Sequence, residues 1–217
     1  MPTYVIEHME DDNSDHTFPH WIALEYMQMI RHAQPHSTVI FSSLSPASVN
    51  SLSEQLLKRG APQGSFRAET KSVQELMKEE GVALEKVCLL DPRAEREIGP
   101  GDGKEFDWFL FGGILGDDPP RDRTGILRAH GYPGRHLGPI QMTTDTALGV
   151  TARCVEQNVT LSSIPMVNHP EIKFNDNESV TMPFIYMTKE GTKDEPWLPE
   201  GMKEHLYEDM NREFEDF

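Results

Sequence analysis

Short apolar segments typical of strands alternate with helical segments along most of this chain. The segment 106–113 (FDWFLFGG) is apolar almost throughout, as is typical of a strand that is buried on both faces of its sheet. Helices then have to cover both faces, and the alternating order supplies a helix between successive strands, as parallel strands require. The sequence therefore predicts an α/β fold with a mainly parallel sheet and flanking helices.

Two sets of segments make up this pattern. The predicted strands are 3–8, 38–44, 86–92, 106–113, the start of 134–142, and two late strands that could form a hairpin, 165–174 and 180–188. The predicted helices are 20–33, 48–60, 72–81, 143–158 and the acidic segment 198–217. We expect residues 1–195 to form one domain and residues 196–217 to form an acidic C-terminal helix or tail.

The formal net charge of −16 limits the partners of this chain. Its 36 acidic residues oppose 20 basic ones, so its surface should repel nucleic acid and attract basic proteins. Solubility alone is the alternative explanation of the same charge. No apolar run is long enough to span a membrane, and the start of the chain lacks the order of a signal peptide, so we expect a cytoplasmic protein.

Unusual residues follow three of the predicted strands, at the edge where α/β sheets bind ligands. The loop FLFGGILGDDPPRDRT carries Gly112, Gly113 and Gly116, which let the backbone approach a ligand closely. Its spacing is not that of a dinucleotide-binding loop, and Asp117 and Asp118 would repel a pyrophosphate. A neutral or cationic ligand such as S-adenosylmethionine (SAM) suits the loop better. The alternative is a structural turn at the strand end.

Another of these loops favours the ligand interpretation. HLGPIQMTTDTA follows a short strand and opens a helix, and Thr143, Thr144 and Asp145 crowd the helix start with oxygen atoms. One threonine would cap the helix, but capping does not account for the Gly-Pro turn or for the Gln-Met pair before the threonines. Together with LLDP after a third strand, these loops would form a three-sided cradle of backbone.

In that order, LLDPRAE, FGGILGDDPPRDRT and LGPIQMTTDTA resemble the three cofactor loops of the SPOUT (α/β-knot) methyltransferases. The likeness is strongest with the fungal branch that acts as a protein-arginine methyltransferase on a small-subunit ribosomal protein. It extends to YVIEHMED near the start and to MPF and LPEGM near the end, and so covers nearly the whole chain. The resemblance implies a deep C-terminal trefoil knot and SAM as the cofactor.

The resemblance also implies a cofactor site in which backbone holds the adenine. Carried over motif by motif, its residues would be Leu90, Asp91, Pro92, Gly112, Gly113, Ile114, Leu115, Gly116, Leu137, Gly138, Gln141, Met142 and Thr143. The stretch EHMEDDNSDHTFPHWIALEY departs from RNA-modifying relatives, many of which carry an arginine there. That departure, like the net charge, puts RNA in doubt as the substrate.

Methylation of arginine needs carboxylates that hold the planar guanidinium and take a proton from it. Asp117 is the first candidate for this catalytic role, with Asp118 beside it, and Glu7 is the second because it ends a strand at the expected functional edge. Glu25, inside an apolar helix, would either join the chemistry or form a structural ion pair with an arginine of the Asp117 loop. The histidines form no recognisable metal-ligand motif, and no metal is expected.

Three functions are compatible with these observations. The leading one, implied by the resemblance, is SAM-dependent methyl transfer to an arginine of a basic small-subunit ribosomal protein of the uS3 type. The second is SAM-dependent methylation of rRNA or tRNA. The third is a non-catalytic acidic escort of a basic protein, which would leave the cradle loops without a purpose. Doubling the charge disfavours the knot-mediated homodimer of other family members, so we expect a monomer.

Overall fold

A parallel sheet forms the centre of the protein. The computed structural model describes residues 1–9, 18–33, 35, 37–113 and 124–215, with side chains as far as residue 211. The strands of the sheet are β1 (Thr3–Glu7), β2 (Thr38–Ser42), β3 (Phe66–Ala68), β4 (Val87–Leu90), β5 (Trp108–Gly112) and β6 (Gly134–Arg135). They lie in the order β3-β2-β1-β5-β4-β6, and each neighbouring pair is parallel. The prediction of a mainly parallel sheet is confirmed.

Helices connect these strands and cover the sheet. Those of the described chain are α1 (His20–Ala33), α2 (Pro46–Lys58), α3 (Val73–Glu80), α4 (Asp102–Glu105), α5 (Thr124–Arg128), α6 (Thr144–Gln157) and α7 (Met202–Glu215). α1 has its predicted bounds because a run without Gly or Pro begins and ends there. α3 ends as predicted at Gly81, whose positive φ of 68° closes the last turn.

The side chains of the central strands alternate between two apolar layers. On β1, Tyr4 and Ile6 belong to the layer that contains α1 and α6, whereas Val5 belongs to the layer that contains α3 and α5. All three are 0% exposed, so this strand is buried on both faces. Because the strands are parallel, their C-terminal ends meet at one edge of the sheet, where the three unusual loops converge.

The two late segments form one hairpin that is divided into two ladders. Its strands are β7 (Met166–Asn168), β8 (Glu171–Lys173), β9 (Ser179–Thr181) and β10 (Ile185–Met187). β7 pairs antiparallel with β10, and β8 pairs antiparallel with β9. The ladder is interrupted at Pro170 and Pro183, which have no N–H to donate.

Three short elements, β3, α4 and α5, were absent from the prediction, because three to five residues are too few to show a period. The segment before α7 packs on α1 and α6. The Trp197 ring lies edge-on to His32 at 4.8 Å and beneath the Arg153 guanidinium at 5.8 Å. The division of the chain after residue 195 stays a prediction. None of the helices in the described ranges has the length and apolar character needed to cross a bilayer.

Candidate functional site

A cavity of about 360 Å³ opens at the C-terminal edge of the sheet. The ends of β4 and β5, the loop after β6, and the starts of α5 and α6 surround it. Its lining consists of Leu90, Asp91, Pro92, Arg93, Phe111, Gly112, Gly113, Thr124, Arg128, Leu137, Gly138, Pro139, Ile140, Gln141, Met142, Thr144 and Ala147. The three loops singled out in the sequence therefore meet at one concave site, as expected for a parallel sheet.

The cavity contains nine of the thirteen residues predicted to bind the cofactor. These nine are Leu90, Asp91, Pro92, Gly112, Gly113, Leu137, Gly138, Gln141 and Met142. Three others, Ile114, Leu115 and Gly116, lie outside the described residues, as do Asp117 and Asp118. The thirteenth, Thr143, is buried beside the cavity but does not line it.

In chain order, the first cofactor loop follows β4, the second is the glycine loop after β5, and the third follows β6. The first loop is held in place by an ion pair. The Arg128 guanidinium donates to both oxygens of the Asp91 carboxylate, from Nε at 2.5 Å and from Nη2 at 2.6 Å. Asp91 also accepts a hydrogen bond from the backbone N–H of Arg93. With its carboxylate engaged in this way, Asp91 stabilises the loop and joins it to α5.

The second loop needs glycine for two reasons. Gly113 has a positive φ of 57°, which glycine adopts without strain. At Gly112, an added Cβ would lie 3.3 Å from Leu127 Cδ1 and 3.4 Å from the backbone of Thr124, tighter than most such contacts. Gly112 therefore allows α5 to pack directly against the end of β5, at the rim of the cavity.

The third loop is connected to its neighbours on both sides. The Thr144 hydroxyl donates to the carbonyl oxygen of Gly113 at 2.8 Å, which joins the third loop to the second. The N–H of Ile185 donates to the carbonyl oxygen of Gln141 at 3.1 Å, which joins the third loop to the hairpin. Thr143 occupies the N-cap position of α6, and its hydroxyl donates to Thr146 Oγ1.

Several lining residues were missed by the sequence analysis. They are Arg93, Phe111, Thr124, Arg128, Pro139, Ile140, Thr144 and Ala147. Some had a signal: Phe111 precedes the two glycines, and Thr144 is one of the adjacent threonines at the start of α6. No signal marked Arg128, because its partner lies 37 residues away along the chain.

The walls of the cavity suit an uncharged, partly apolar group such as an adenosine. Leu90, Phe111, Leu137 and Met142 supply apolar surface, and the charges of Asp91 and Arg128 on the lining are paired with each other. Gln141 Nε2 is buried and has no hydrogen-bond partner among the described residues, so it is a donor available for a ring nitrogen or a ribose hydroxyl. The residues that are present therefore fit SAM.

Glu7 ends β1 at this edge but does not line the cavity. Its side chain is largely buried and accepts three hydrogen bonds, from the hydroxyls of Ser42 and Ser43, both at 2.6 Å, and from the N–H of Val73 at 2.9 Å. Both of its oxygens thus accept hydrogen bonds from neighbours at the end of β2 and at the start of α3. The catalytic assignment of Glu7 stays a prediction, and its described contacts are structural.

Glu25 lies in the interior, on the side of α1 that faces α6. Burial and the negative charge of Asp145 raise the pKa of the Glu25 carboxyl well above its usual range. An ion pair with Arg121 or Arg123, the structural alternative for Glu25, involves residues outside the described chain. Within the described ranges, no cluster of three or more His, Cys, Asp or Glu side chains is placed to hold a metal ion.

Comparison with known proteins gives consistent matches. The family model of SFM1-like protein arginine N-methyltransferases matches residues 3–213. The protein arginine N-methyltransferase SFM1 of Saccharomyces cerevisiae is 39% identical over 223 residues, which cover 98% of each chain. The crystal structure of yeast SFM1 complexed with SAM has a TM-score of 0.81 at 37% identity, covering 96% of this chain and 91% of that chain.

A further solved structure is similar in fold alone. A Trm10 protein from Thermococcus kodakaraensis has a TM-score of 0.54 at 18% identity, over 73% of this chain and 95% of that chain. The sheet order, the flanking helices and these likenesses confirm the SPOUT-like α/β fold. The deep C-terminal trefoil knot implied by the resemblance stays a prediction.

Proposed function

This chain belongs to the family of SFM1-like protein arginine N-methyltransferases, and from that premise we propose that it methylates an arginine of a basic protein of the small ribosomal subunit, of the uS3 type. The enzyme is a SAM-dependent methyltransferase: yeast SFM1 has been solved in complex with SAM and with SAH, S-adenosylhomocysteine, at 37% and 38% identity to this chain. The observation that supports the proposal most strongly is the cavity at the strand ends, where three loops converge on one site.

Residues of all three loops would hold SAM. Leu90, Leu137 and Met142 would contact the adenosine, and Gln141 Nε2 would donate to it. When bound, SAM supplies a methyl group carried on a sulfonium sulfur. The ends of β4 and β5, which form one wall of the cavity, would shield this methyl group from bulk water on that side.

We assign Asp117 and Asp118 to the substrate rather than to the cofactor. They directly follow the glycines of the second loop, so they would flank the substrate side of the cavity. A carboxylate there would hold the planar guanidinium through two hydrogen bonds and accept the proton that its nitrogen loses. Glu7 is the weaker candidate, because both of its oxygens already accept hydrogen bonds.

The charge of the chain supports a basic protein as the substrate. A formal charge of −16 steers a cationic partner towards the enzyme and disfavours nucleic acid. α7 contributes part of this negative charge, because its Glu204 and Glu208 side chains are exposed. The same argument favours a monomer with no direct nucleic-acid contact.

The hydrogen bond between the second and third loops gives a first test. Replacing Thr144 by valine keeps the shape of the side chain but removes the bond to Gly113 O, which should weaken SAH binding about fivefold, the worth of roughly 1 kcal/mol. Isothermal titration calorimetry with SAH measures this directly.

Thr151→Val is the matched control. Thr151 lies two turns further along α6, is 0% exposed, and donates only within its own helix, to Ala147 O at 2.8 Å. This variant should bind SAH like the wild type. Equal weakening in both variants would mean that α6 as a whole is destabilised, and that the bond to the second loop has no specific part in cofactor binding.

A further inference from the structure

The Glu7 side chain connects three elements at the edge of the sheet where the cavity opens. Its Oε2 accepts hydrogen bonds from the Ser42 hydroxyl at 2.6 Å and from the N–H of Val73 at 2.9 Å. Its Oε1 accepts a hydrogen bond from the Ser43 hydroxyl at 2.6 Å. Glu7 ends β1, Ser42 ends β2, and Val73 begins α3. Because Glu7 is 8% exposed, these hydrogen bonds are largely shielded from water, which strengthens them.

The backbone of the same residue holds the second cofactor loop. Glu7 lies opposite Gly112 of β5, and its carbonyl oxygen accepts a hydrogen bond from the N–H of Gly113 at 2.9 Å. Gly113 lines the cavity, and its own carbonyl oxygen accepts a hydrogen bond from the Thr144 hydroxyl at 2.8 Å. Two hydrogen bonds therefore fix Gly113 where the second loop leaves β5, and Glu7 is the acceptor in one of them.

Ser43, one of the partners of the Glu7 carboxylate, has a strained backbone. Its φ is 57°, in the left-handed region that residues with a side chain seldom adopt. Such a conformation persists only where the surrounding structure holds it, and it is found most often at functional sites. Here the Ser43 hydroxyl donates to Glu7, and the Ser43 N–H donates to the carbonyl oxygen of Lys71 at 2.9 Å. Removing the carboxylate would therefore release one of the contacts that hold Ser43.

The orientation of the carboxylate is that of a structural acceptor. A proton acceptor for the target guanidinium needs an oxygen that faces the substrate. Glu7 does not line the cavity, and its two oxygens are directed at the end of β2 and the start of α3. Its effect on the reaction would therefore pass through the position of Gly113.

We propose that Glu7 is a positioning residue, whose carboxylate fixes the end of β1 so that its carbonyl oxygen holds Gly113 in place for cofactor binding. The inference rests on the proposed cofactor site and assigns Glu7 no contact with the reacting atoms. It requires at position 7 the shape and the hydrogen-bonding capacity of glutamate, and not a negative charge.

Calorimetric titration of two Glu7 variants with SAH tests this requirement. In Glu7→Gln, the amide oxygen can accept from Ser42 and Val73. The amide nitrogen can donate to the Ser43 hydroxyl, which also accepts hydrogen bonds. This variant should bind SAH within threefold of the wild type. Glu7→Ala removes the acceptor for all three partners and should bind SAH at least tenfold more weakly.

Ser43→Ala removes a single hydrogen bond and covers the case in which Glu7→Ala does not fold. It should weaken SAH binding about threefold.

Ser72→Ala is the matched control for a general loosening of this edge. Ser72 caps α3 directly before Val73, and its hydroxyl donates to Glu75 Oε2 at 2.8 Å. The variant loses the cap and some stability, but it keeps every partner of the Glu7 carboxylate. It should bind SAH like the wild type.

The two readouts, SAH affinity and turnover, separate positioning from the alternatives. Wild-type affinity in Glu7→Ala or Ser43→Ala, or equal weakening in Glu7→Ala and Ser72→Ala, would show a structural role only and would overturn the inference. Equal weakening by the Gln and Ala variants would also overturn it, since the charge would then be needed. Normal SAH binding by Glu7→Gln with turnover at least 100-fold lower would instead make Glu7 the proton acceptor. Failure of the wild type to bind SAH would contradict the proposed function.

Discussion

Replacing Asp117 with asparagine should lower the turnover number about 100-fold or more and leave the affinity for SAH within about threefold of the wild type. The guanidinium of the target arginine is protonated and has to lose a proton as its nitrogen is methylated. Asparagine can accept a hydrogen bond, but it carries no charge and does not take that proton. Loss of a positioned proton acceptor typically costs a factor of 10² to 10⁴ in rate.

The measurement is the rate of methyl transfer to ribosomal subunits under saturating SAM. Asp107→Asn is the matched control, because Asp107 is exposed and precedes β5, at the opposite edge of the sheet from the cavity. Its turnover should be that of the wild type. Full turnover in Asp117→Asn would remove Asp117 from the mechanism, and parallel variants of Asp118 and Glu7 would show which carboxylate replaces it.

Replacing Arg135 with methionine should lower the free energy of unfolding by about 3–5 kcal/mol. Arg135 is 2% exposed, and its guanidinium donates to Asp102 Oδ1 at 2.8 Å and to Glu105 Oε2 at 3.0 Å. Asp102 is itself 5% exposed, so the substitution leaves a buried carboxylate without its cation. Removing one partner of a buried ion pair costs more than the pair contributes.

Urea denaturation of the variant measures this loss, and Arg31→Met supplies the control. The ion pair of Arg31 with Glu200 has a similar N–O distance, 2.6 Å, but its side chains are 38% and 79% exposed. Removing it should cost less than about 1 kcal/mol. Similar losses in the two variants would mean that the burial of Arg135 does not determine its contribution.

The sheet and most of the helices could be predicted because each has a local signal. β5 is apolar throughout and α1 is an uninterrupted run, so periodicity and composition identify both. β3 and α5 have three and five residues, and no period shows over such lengths. The late hairpin was expected, but its division into two ladders depends on where its prolines fall along the pairing.

The cofactor loops could be predicted because parallel strands end at the same edge of the sheet, whichever helices connect them. The individual contacts could not. Asp91 and Arg128 are 37 residues apart, and Glu25 and Asp145 are brought together only by the packing of α1 on α6. The choice of Thr144 rather than Thr143 to line the cavity depends on the rotation of about 100° per residue at the start of α6.

The most direct test of the function is a labelling experiment. The purified protein would be incubated with methyl-labelled SAM and with small ribosomal subunits from cells that lack it, and the product divided between protease and RNase. We expect label that is lost only to protease and that maps to an arginine of a basic ribosomal protein. Label lost to RNase would contradict the assignment of a protein substrate. The absence of label on subunits shown to be unmodified would contradict catalysis itself.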